Sequence, residues 1–290
     1  KMGRGERVLD PFIGSGTLAV ESQLLGVNSV GIDVSPMCVL QSKVKTQSMT
    51  VIDEIKNRRR DAIASFGVRN PTNTLLDESP PTTYHEFLSS IPDEDARNFF
   101  QMAELVAISD HERRGRDITK SFAKNLELMV QSVEDYSAAA ADLALSLGDV
   151  DIRRADSRSL PLEDGSVQGI ITSPPYSIAL DYVSNDAHAL KAMGNDVETI
   201  RDQFVGVRGK GDKRIELYNQ DMVKSFEEMH RVLQTGRHCA IVIGNATYET
   251  REVKTIEFTI EQCEKLGFKL LKNINKIIYG LYNVMLTDNT

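Results

Sequence analysis

Apolar residues follow two different periodicities along the first 35 positions, and each periodicity predicts a different element. The runs at 7–12 and 29–34 are short, apolar and typical of buried strands, whereas the apolar residues of 18–25 recur at helical spacing. A glycine-rich turn at 14–17 separates the first run from the helix. The segment therefore predicts a strand, a helix and a second strand, which together form a βαβ unit.

Long helical periods replace this pattern from about Val39 to Gly148. Leu126, Met129 and Val130 belong to one apolar stripe at helical spacing, and a polar, proline-rich stretch at 70–81 interrupts the helices. No strand alternation is visible in this part of the sequence. We therefore expect a helical insertion at 41–147, inside a core domain formed by 1–40 and 148–290.

Short strands and helices alternate again after the insertion. The predicted strands lie at 151–155, 167–171, 238–243, 268–278 and 282–286, and the predicted helices lie at 222–233, with Gly236 as its cap, and at 253–266. This alternation predicts a doubly wound α/β fold with a mostly parallel, seven-stranded sheet. We expect the last strand to form a hairpin with the preceding one and to run antiparallel.

Composition and charge limit the possible function classes. The chain has 290 residues, 34 Lys and Arg against 42 Asp and Glu, and a net charge of −8, which argues against a surface that binds polyanions everywhere but leaves room for a local basic face. No run of about 18 apolar residues and no secretory leader pattern occurs. Cys38, Cys239 and Cys263 lack metal-ligand spacing. We expect a cytoplasmic protein with reduced thiols and without a metal or membrane partner.

The first candidate site is the segment Asp10-Pro11-Phe12-Ile13-Gly14-Ser15-Gly16-Thr17, followed by Asp33 at the end of the next strand. Glycines at a strand-to-helix turn let a ligand approach the backbone, and the later carboxylate can accept hydrogen bonds from ribose hydroxyls. Ala19 replaces the third glycine of a dinucleotide fingerprint, and Asp10 would repel a pyrophosphate but attract an ammonium group. The pattern favours S-adenosylmethionine over NAD; a tight glycine turn in an unrelated α/β protein is the alternative.

The second candidate site is Ser173-Pro174-Pro175-Tyr176, directly after an apolar strand. Two prolines fix the backbone and remove two N–H donors, so that carbonyl oxygens are presented as rigid acceptors. A planar amino group suits such acceptors, and the Tyr176 ring offers a face for a base removed from its stack. A simple turn or a ligand for a peptide-binding module is the alternative.

Together the two segments resemble the motifs of the amino-methyltransferases, which methylate exocyclic nitrogens of DNA bases. The resemblance covers the βαβ start and the chain from about Asp149, but not the insertion. It implies a Rossmann-like class I methyltransferase fold, S-adenosylmethionine as cofactor and DNA with a flipped base as substrate. It also implies a place in a restriction-modification system. The insertion would then serve target recognition or partner binding.

The resemblance also implies residue roles. Asp10, Gly14 and Gly16 would line the methionine end of the cofactor, Asp33 would hold the ribose, and Asp156 with Ser157 would contact the adenine. Further cofactor contacts would come from Pro11, Phe12, Ser15 and Thr17. Ser173 to Tyr176 would clamp the target base and draw its amino hydrogens out of plane. The nitrogen would then attack the sulfonium methyl in line, helped by alignment and electrostatic preorganisation.

The target base is less sharply defined by the motifs. Serine in the first clamp position resembles the cytosine-N4 group, but the cofactor motif precedes the clamp here, whereas many members with this clamp have the reverse order. We expect cytosine N4, with adenine N6 as the alternative. Methylation of an RNA amino group, methylation of a protein glutamine, and a non-catalytic subunit that binds cofactor or nucleic acid are further alternatives.

A basic, glycine-rich loop follows the clamp in the sequence. Its cations are Arg208, Lys210, Lys213 and Arg214. Most charge runs are solvated faces, but a flexible basic loop beside the clamp could close on a phosphate backbone. We therefore expect these four residues to contact nucleic acid.

Overall fold

The computed structural model describes residues 2–67, 83–176, 181–248 and 251–275. Five parallel strands form a sheet of order β3-β2-β1-β4-β5. The strands are β1 Arg7–Asp10, β2 Asn28–Asp33, β3 Val150–Arg154, β4 Val167–Thr172 and β5 Leu233–Ile241. The predicted α/β class with a mostly parallel sheet is confirmed.

Helices fill the long connection between β2 and β3. Helix α1 (Thr17–Leu24) joins β1 to β2. The connection then contains α2 Pro36–Gln47, a 3-10 helix Ser48–Val51, α3 Ile52–Phe66, α4 Tyr84–Ser89, α5 Glu94–Arg114 and α6 Ile118–Asp142. The expected helical character of this region is confirmed, but α2 crosses the expected boundary at residue 41, and the division into an insertion and a core stays a prediction.

An aromatic cluster holds the helical region together. Phe66, Phe99, Phe100 and Phe122 are fully buried. The rings of Phe66 and Phe122 stack with centroids 3.9 Å apart, and Tyr84 meets both rings edge to face. Because burying aromatic side chains is among the largest favourable contributions to folding, these helices have a core of their own.

The sheet is covered on both faces. Val30 and Ile32 of β2 pack in one cluster with Met222 of the helix Asp212–Val232, which is α9. Gly31 points the other way, where an added Cβ would lie 2.7 Å from Ile13 and 2.8 Å from Ile152. Ile13 and Ile152 share a cluster with Ala19 of α1, so helices lie on both faces of the sheet, as a doubly wound fold requires.

The second half of the chain supplies the remaining elements. They are α7 Tyr182–Ala192, α8 Val197–Gln203, α9 Asp212–Val232, a hairpin of β6 Ala246–Tyr248 and β7 Arg251–Val253, and α10 Thr255–Lys265. In the described ranges, no helix is both long and apolar enough to cross a lipid bilayer.

Two sequence expectations differ from the structure, and two others lie outside the described residues. Gly236 does not cap a helix: it lies within β5 with φ +79°, where the register against β4 shifts so that Val167 pairs with Leu233 but Gly169 pairs with His238. Residues 268–275 are not in a strand, contrary to the expectation for 268–278. The expected last strand at 282–286, and with it the seven-stranded sheet, lies outside the described residues, as does the proline-rich stretch at 70–81.

Candidate active site

A cavity of about 170 Å³ lies where the carboxyl ends of β1, β2, β3 and β4 meet. Parallel α/β sheets bind ligands at this edge because strand-end loops converge there. The cavity is lined by Pro11, Phe12, Gly14, Asp33, Val34, Cys38, Asp156, Ser157, Ser173, Pro175, Tyr182, Asp186, Phe204 and Val205. The wall therefore contains residues of both motifs, which are about 160 residues apart in the sequence. A wider, more open depression between α9 and β7 shares no lining residue with this cavity.

Asp33 is built into the glycine turn by two backbone hydrogen bonds. Its Oδ2 accepts a hydrogen bond from the Gly14 N–H at 3.0 Å, and its Oδ1 accepts one from the Ser35 N–H at 2.9 Å. Burial raises the pKa of the Asp33 carboxyl to about 6, because the loss of hydration outweighs these bonds. A ligand hydroxyl or cation would restore part of the lost solvation.

Asp10 joins the cofactor motif to the clamp. It is only 7% exposed, and its Oδ1 accepts hydrogen bonds from the Thr172 hydroxyl at 2.6 Å and from the Phe12 N–H at 3.0 Å. Burial raises the pKa of this carboxyl to about 6 as well, with Asp33 as a further negative charge nearby. Asp10 is not among the lining residues, so its direct contact with a cofactor stays a prediction.

The rest of the glycine segment shapes the turn more than the cavity wall. Ser15, Gly16 and Thr17 do not line the cavity. Gly16 has φ +81°, and a Cβ there would lie 2.8 Å from the Ser42 hydroxyl of α2. In contrast, a Cβ on Gly14 would approach only the Phe12 carbonyl, at 3.8 Å. Gly14 therefore leaves space for a ligand, whereas Gly16 lets α2 pack closely; cofactor contacts by residues 15–17 remain predictions.

The clamp segment follows β4 directly. Ser173 and Pro175 line the cavity, Pro174 is buried, and Tyr176 is half-buried and not among the lining residues. Gly206 has φ +85°, and a Cβ there would lie 3.2 Å from the Tyr176 carbonyl oxygen. The glycine-rich loop thus packs against the clamp backbone. Catalytic roles for the four clamp residues stay predictions.

Polar and charged contacts fix the loop after β3, where the adenine of the cofactor is expected to bind. Asp156 and Ser157 follow β3 and line the cavity. Arg158 forms a two-pronged ion pair with Asp156, and the Ser157 hydroxyl lies 2.9 Å from the Ser225 hydroxyl of α9. These contacts fix the loop after β3 against α9.

The basic loop divides into anchored and exposed cations. Arg208 pairs with the buried Asp221, and Arg214 donates a hydrogen bond to the Gly206 carbonyl at 2.6 Å. Lys210 and Lys213 are exposed, and Lys213 pairs with the exposed Glu216. The two arginines therefore hold this region on the protein. Lys213 and Arg214 belong to α9 and not to the loop in which the sequence placed them. Contact of the four cations with nucleic acid stays a prediction.

Asp186 and Cys38, two lining residues on helices, carried little or no signal in the sequence. Tyr182 and Asp186 lie four positions apart on α7, which places them on one helix face, and Cys38 lies on α2. Burial raises the pKa of the Asp186 carboxyl and of the Cys38 thiol. The position of these residues beside the strand ends depends on how α2 and α7 pack on the rest of the chain, and the hydrophobic periodicity of the sequence does not reveal that packing.

The charge of the wall decides what the cavity can hold. The described lining residues include three carboxylates, Asp33, Asp156 and Asp186, and no lysine, arginine or histidine. A pyrophosphate would meet repulsion there, whereas a cofactor with an adenosine part and a positive charge would meet attraction and hydrogen-bond acceptors. Within the described ranges, no group of three or more His, Cys, Asp or Glu side chains could hold a metal ion. The donor set therefore fits a cationic nucleoside cofactor.

The sheet order defines a Rossmann-like α/β protein, and the cavity lies at the sheet edge where such folds bind ligands. Segments of the chain are similar to three Type II methyltransferases: M.MjaII of Methanocaldococcus jannaschii (45% identity over 47 residues), M.BsoBI of Geobacillus stearothermophilus (47% over 36) and M.MvaI of Kocuria varians (31% over 104). These segments cover 16%, 12% and 35% of this chain, and 9%, 7% and 20% of the relatives. The matched segments thus span at most a fifth of the length of these relatives.

Two further comparisons add little. The rRNA methyltransferase aviRa from Streptomyces viridochromogenes aligns with 86% of this chain and 76% of its own, at 15% identity and a TM-score of 0.28. No protein-family model matches the chain.

Proposed function

We propose that this chain transfers a methyl group from S-adenosylmethionine to an exocyclic amino group of a DNA base, with cytosine N4 as the preferred target. The observation that carries the proposal is the shared cavity, whose wall contains Gly14, Asp33 and Asp156 from the cofactor side and Ser173 and Pro175 from the clamp. A cofactor and a base edge bound there would be neighbours. The similarity to three Type II methyltransferases supports the same class of reaction.

Gly14, Asp33 and Asp156 would hold the cofactor by complementary hydrogen bonds. Asp33 would accept from the ribose hydroxyls, Asp156 would accept from the adenine amino group, and Gly14 would leave room beside its backbone. Asp10 would favour the ammonium group through its negative charge. The cofactor supplies an electrophilic methyl group on a sulfonium, and the aspartates fix the direction from which that methyl can be approached.

The clamp would hold the other reactant. The Ser173 hydroxyl and the carbonyl of Pro174 would accept hydrogen bonds from the two amino hydrogens, which makes the nitrogen lone pair available outside the ring plane. Tyr176 would stack on the base, which must leave the duplex to reach the cavity. Because methyl transfer needs alignment more than acid–base chemistry, rigid prolines suit this position.

Contact with the phosphate backbone would come from exposed cations. Lys210 lies on the loop that packs against the clamp through Gly206, and Lys213 lies in the adjoining first turn of α9, so this region would meet the strand next to the flipped base. The aspartate-rich cavity stays separate from this basic surface. Opposite charges would thus direct cofactor and nucleic acid to different parts of one site.

The test is methyl transfer from a labelled cofactor to duplex DNA, RNA and a protein mixture in parallel, followed by digestion of the DNA to nucleosides and mass identification. We expect label in DNA and N4-methylcytosine as product. N6-methyladenine would correct the target base only, whereas label in RNA alone or in protein alone would overturn the proposal.

Clamp variants separate catalysis from cofactor binding. Ser173→Ala and Tyr176→Ala are expected to lose at least about 99% of the turnover and to keep the cofactor dissociation constant, measured by calorimetry. Thr199→Ala, a substitution at the exposed start of α8, is the control and is expected to keep turnover. A wild-type chain that binds cofactor but has no turnover on any substrate would support a non-catalytic subunit instead.

A further inference from the structure

The carboxylate of Asp156 is held in one orientation by its neighbour two positions on. Arg158 Nε donates to Oδ1 at 2.9 Å and Nη2 donates to Oδ2 at 2.6 Å, and the Arg158 backbone N–H donates to Oδ1 at 2.9 Å. A two-pronged guanidinium–carboxylate pair fixes the plane of both groups. Asp156 therefore presents its remaining acceptor positions to the cavity in a defined direction.

Arg158 is itself locked from the opposite side. Its Nη1 donates to Asp221 Oδ1 at 2.9 Å, and its Nη2 donates to the Gln203 carbonyl at 3.0 Å. Asp221 is 4% exposed and also pairs with Arg208. The Arg158 guanidinium thus lies between the cavity carboxylate of Asp156 and the buried carboxylate of Asp221. Asp221 belongs to α9, which packs on the sheet.

The charge of Arg158 also determines the state of Asp156. Burial alone would raise the pKa of Asp156, but the hydrogen bonds and charge of Arg158 outweigh it, so the pKa lies below its ordinary value. Among the described residues, Asp10 and Asp33 have no arginine partner, and burial dominates there. Asp156 therefore stays an ionised group that only accepts hydrogen bonds.

We infer that Arg158 is a positioning residue that makes the cavity select a nucleoside with an exocyclic amino group over one with a keto oxygen. An ionised, fixed carboxylate accepts a hydrogen bond from an amino group and repels a carbonyl oxygen in the same place. The inference rests on the proposed function, because it assigns the cavity edge at Asp156 to the purine ring of the cofactor.

The test compares two ligands that differ only at this position: S-adenosylhomocysteine and S-inosylhomocysteine, which carries a keto oxygen instead of the amino group. Dissociation constants are measured by calorimetry at pH 7.5. The wild-type chain is expected to prefer the adenosyl ligand by at least about tenfold, and Arg158→Gln is expected to reduce that preference to about threefold or less.

A matched control is available in β3, three residues before Asp156. Arg153 also pairs with an aspartate two positions away, Asp151, through contacts of 2.5 to 3.0 Å, but neither residue lines the cavity. Arg153→Gln removes the same kind of ion pair and is expected to keep the wild-type preference. Loss of the preference in this control as well would assign the effect to general stability and overturn the inference.

The outcomes separate this inference from the proposed function. A wild-type chain that binds neither ligand contradicts the proposed cofactor site. Binding of the adenosyl ligand without preference, or a folded Arg158→Gln variant with undiminished preference, overturns the role of Arg158 alone. If thermal unfolding shows that Arg158→Gln is not folded, Arg158→Lys is used: it keeps the charge without the two-pronged geometry, and an undiminished preference in it overturns the inference.

Discussion

Replacing Asp10 with asparagine should stabilise the cofactor-free protein while weakening cofactor binding. The side chain is 7% exposed, and asparagine can still accept the hydrogen bonds from the Thr172 hydroxyl and the Phe12 N–H through its oxygen. What the substitution removes is the buried negative charge. Burial is also the main reason why the pKa of Asp10 lies at about 6 instead of 3.8.

The magnitude and its sign follow from this pKa. A rise from 3.8 to about 6 corresponds to about 3 kcal/mol of unfavourable free energy for the ionised form at pH 7.5, as an upper limit. Between these two values the folded protein binds more protons than the unfolded chain, so the stability contributed by Asp10 falls as the pH rises. The advantage of Asp10→Asn should therefore shrink to about half at pH 5 and below about 1 kcal/mol at pH 4.

The assay is urea unfolding of both proteins at pH 7.5, 5 and 4, with calorimetric cofactor binding at each pH. Asp110→Asn is the contrasting control, because Asp110 is 6% exposed but accepts hydrogen bonds from Ser121, Asn125 and two arginines, which hold its pKa well below the ordinary range. That variant should be destabilised at pH 7.5. An Asp10→Asn protein that is less stable than wild type at pH 7.5, or whose advantage grows on acidification, would refute the reasoning.

Three further predictions concern the turn, the buried ion pairs and the basic loop. Gly16→Ala should lower the free energy of unfolding by about 2–4 kcal/mol, because the backbone there is left-handed and the new Cβ would lie 2.8 Å from the Ser42 hydroxyl of α2. Gly115 also has a positive φ, +63°, but open space around it, so Gly115→Ala should lower the free energy of unfolding by only about 1 kcal/mol. Asp221→Asn should lower the free energy of unfolding by roughly 3 kcal/mol, because Arg158 and Arg208 lose the buried carboxylate that they share. Glu216→Gln on the exposed face of the same helix should change the free energy of unfolding by less than about 0.5 kcal/mol. Equal effects of the two variants would contradict this reasoning. Lys210→Gln should weaken duplex binding and reduce the slope of log K against log salt by about 1, and an unchanged slope would remove Lys210 from the interface.

The sequence predicted elements best where the backbone conformation requires a particular type of residue, such as glycine in a tight turn. β1, α1 and β2 begin and end within one or two residues of the expected positions, because the glycine turn and the apolar runs mark their ends. The same reasoning misled at Gly236, since a glycine after a helical period looks like a helix cap although it relieves a register shift in β5. The start of α9 at Asp212 was also missed, because its first turn is polar and exposed.

The site was partly predictable for a similar reason. Asp33, Asp156 and Ser173 follow strands, so their common edge could be expected from a parallel sheet. Phe204 and Val205 also line the cavity, but they lie in a loop whose position depends on Arg158, Asp221 and α9. Such tertiary contacts have no local pattern in a single sequence.

The long helical connection has a consequence for the order in which the chain assembles. β1 and β2 are close in sequence and can pair early, whereas pairing of β2 with β3 must close a loop that spans residues 34–149. Contacts between distant segments form late, and here the partner surface for Ile152 of β3 includes Val39 of α2, which must already be docked. During refolding, the half of the pocket around Gly14 and Asp33 should therefore form before the half around Asp156, so hydrogen exchange should become protected in β2 ahead of β3.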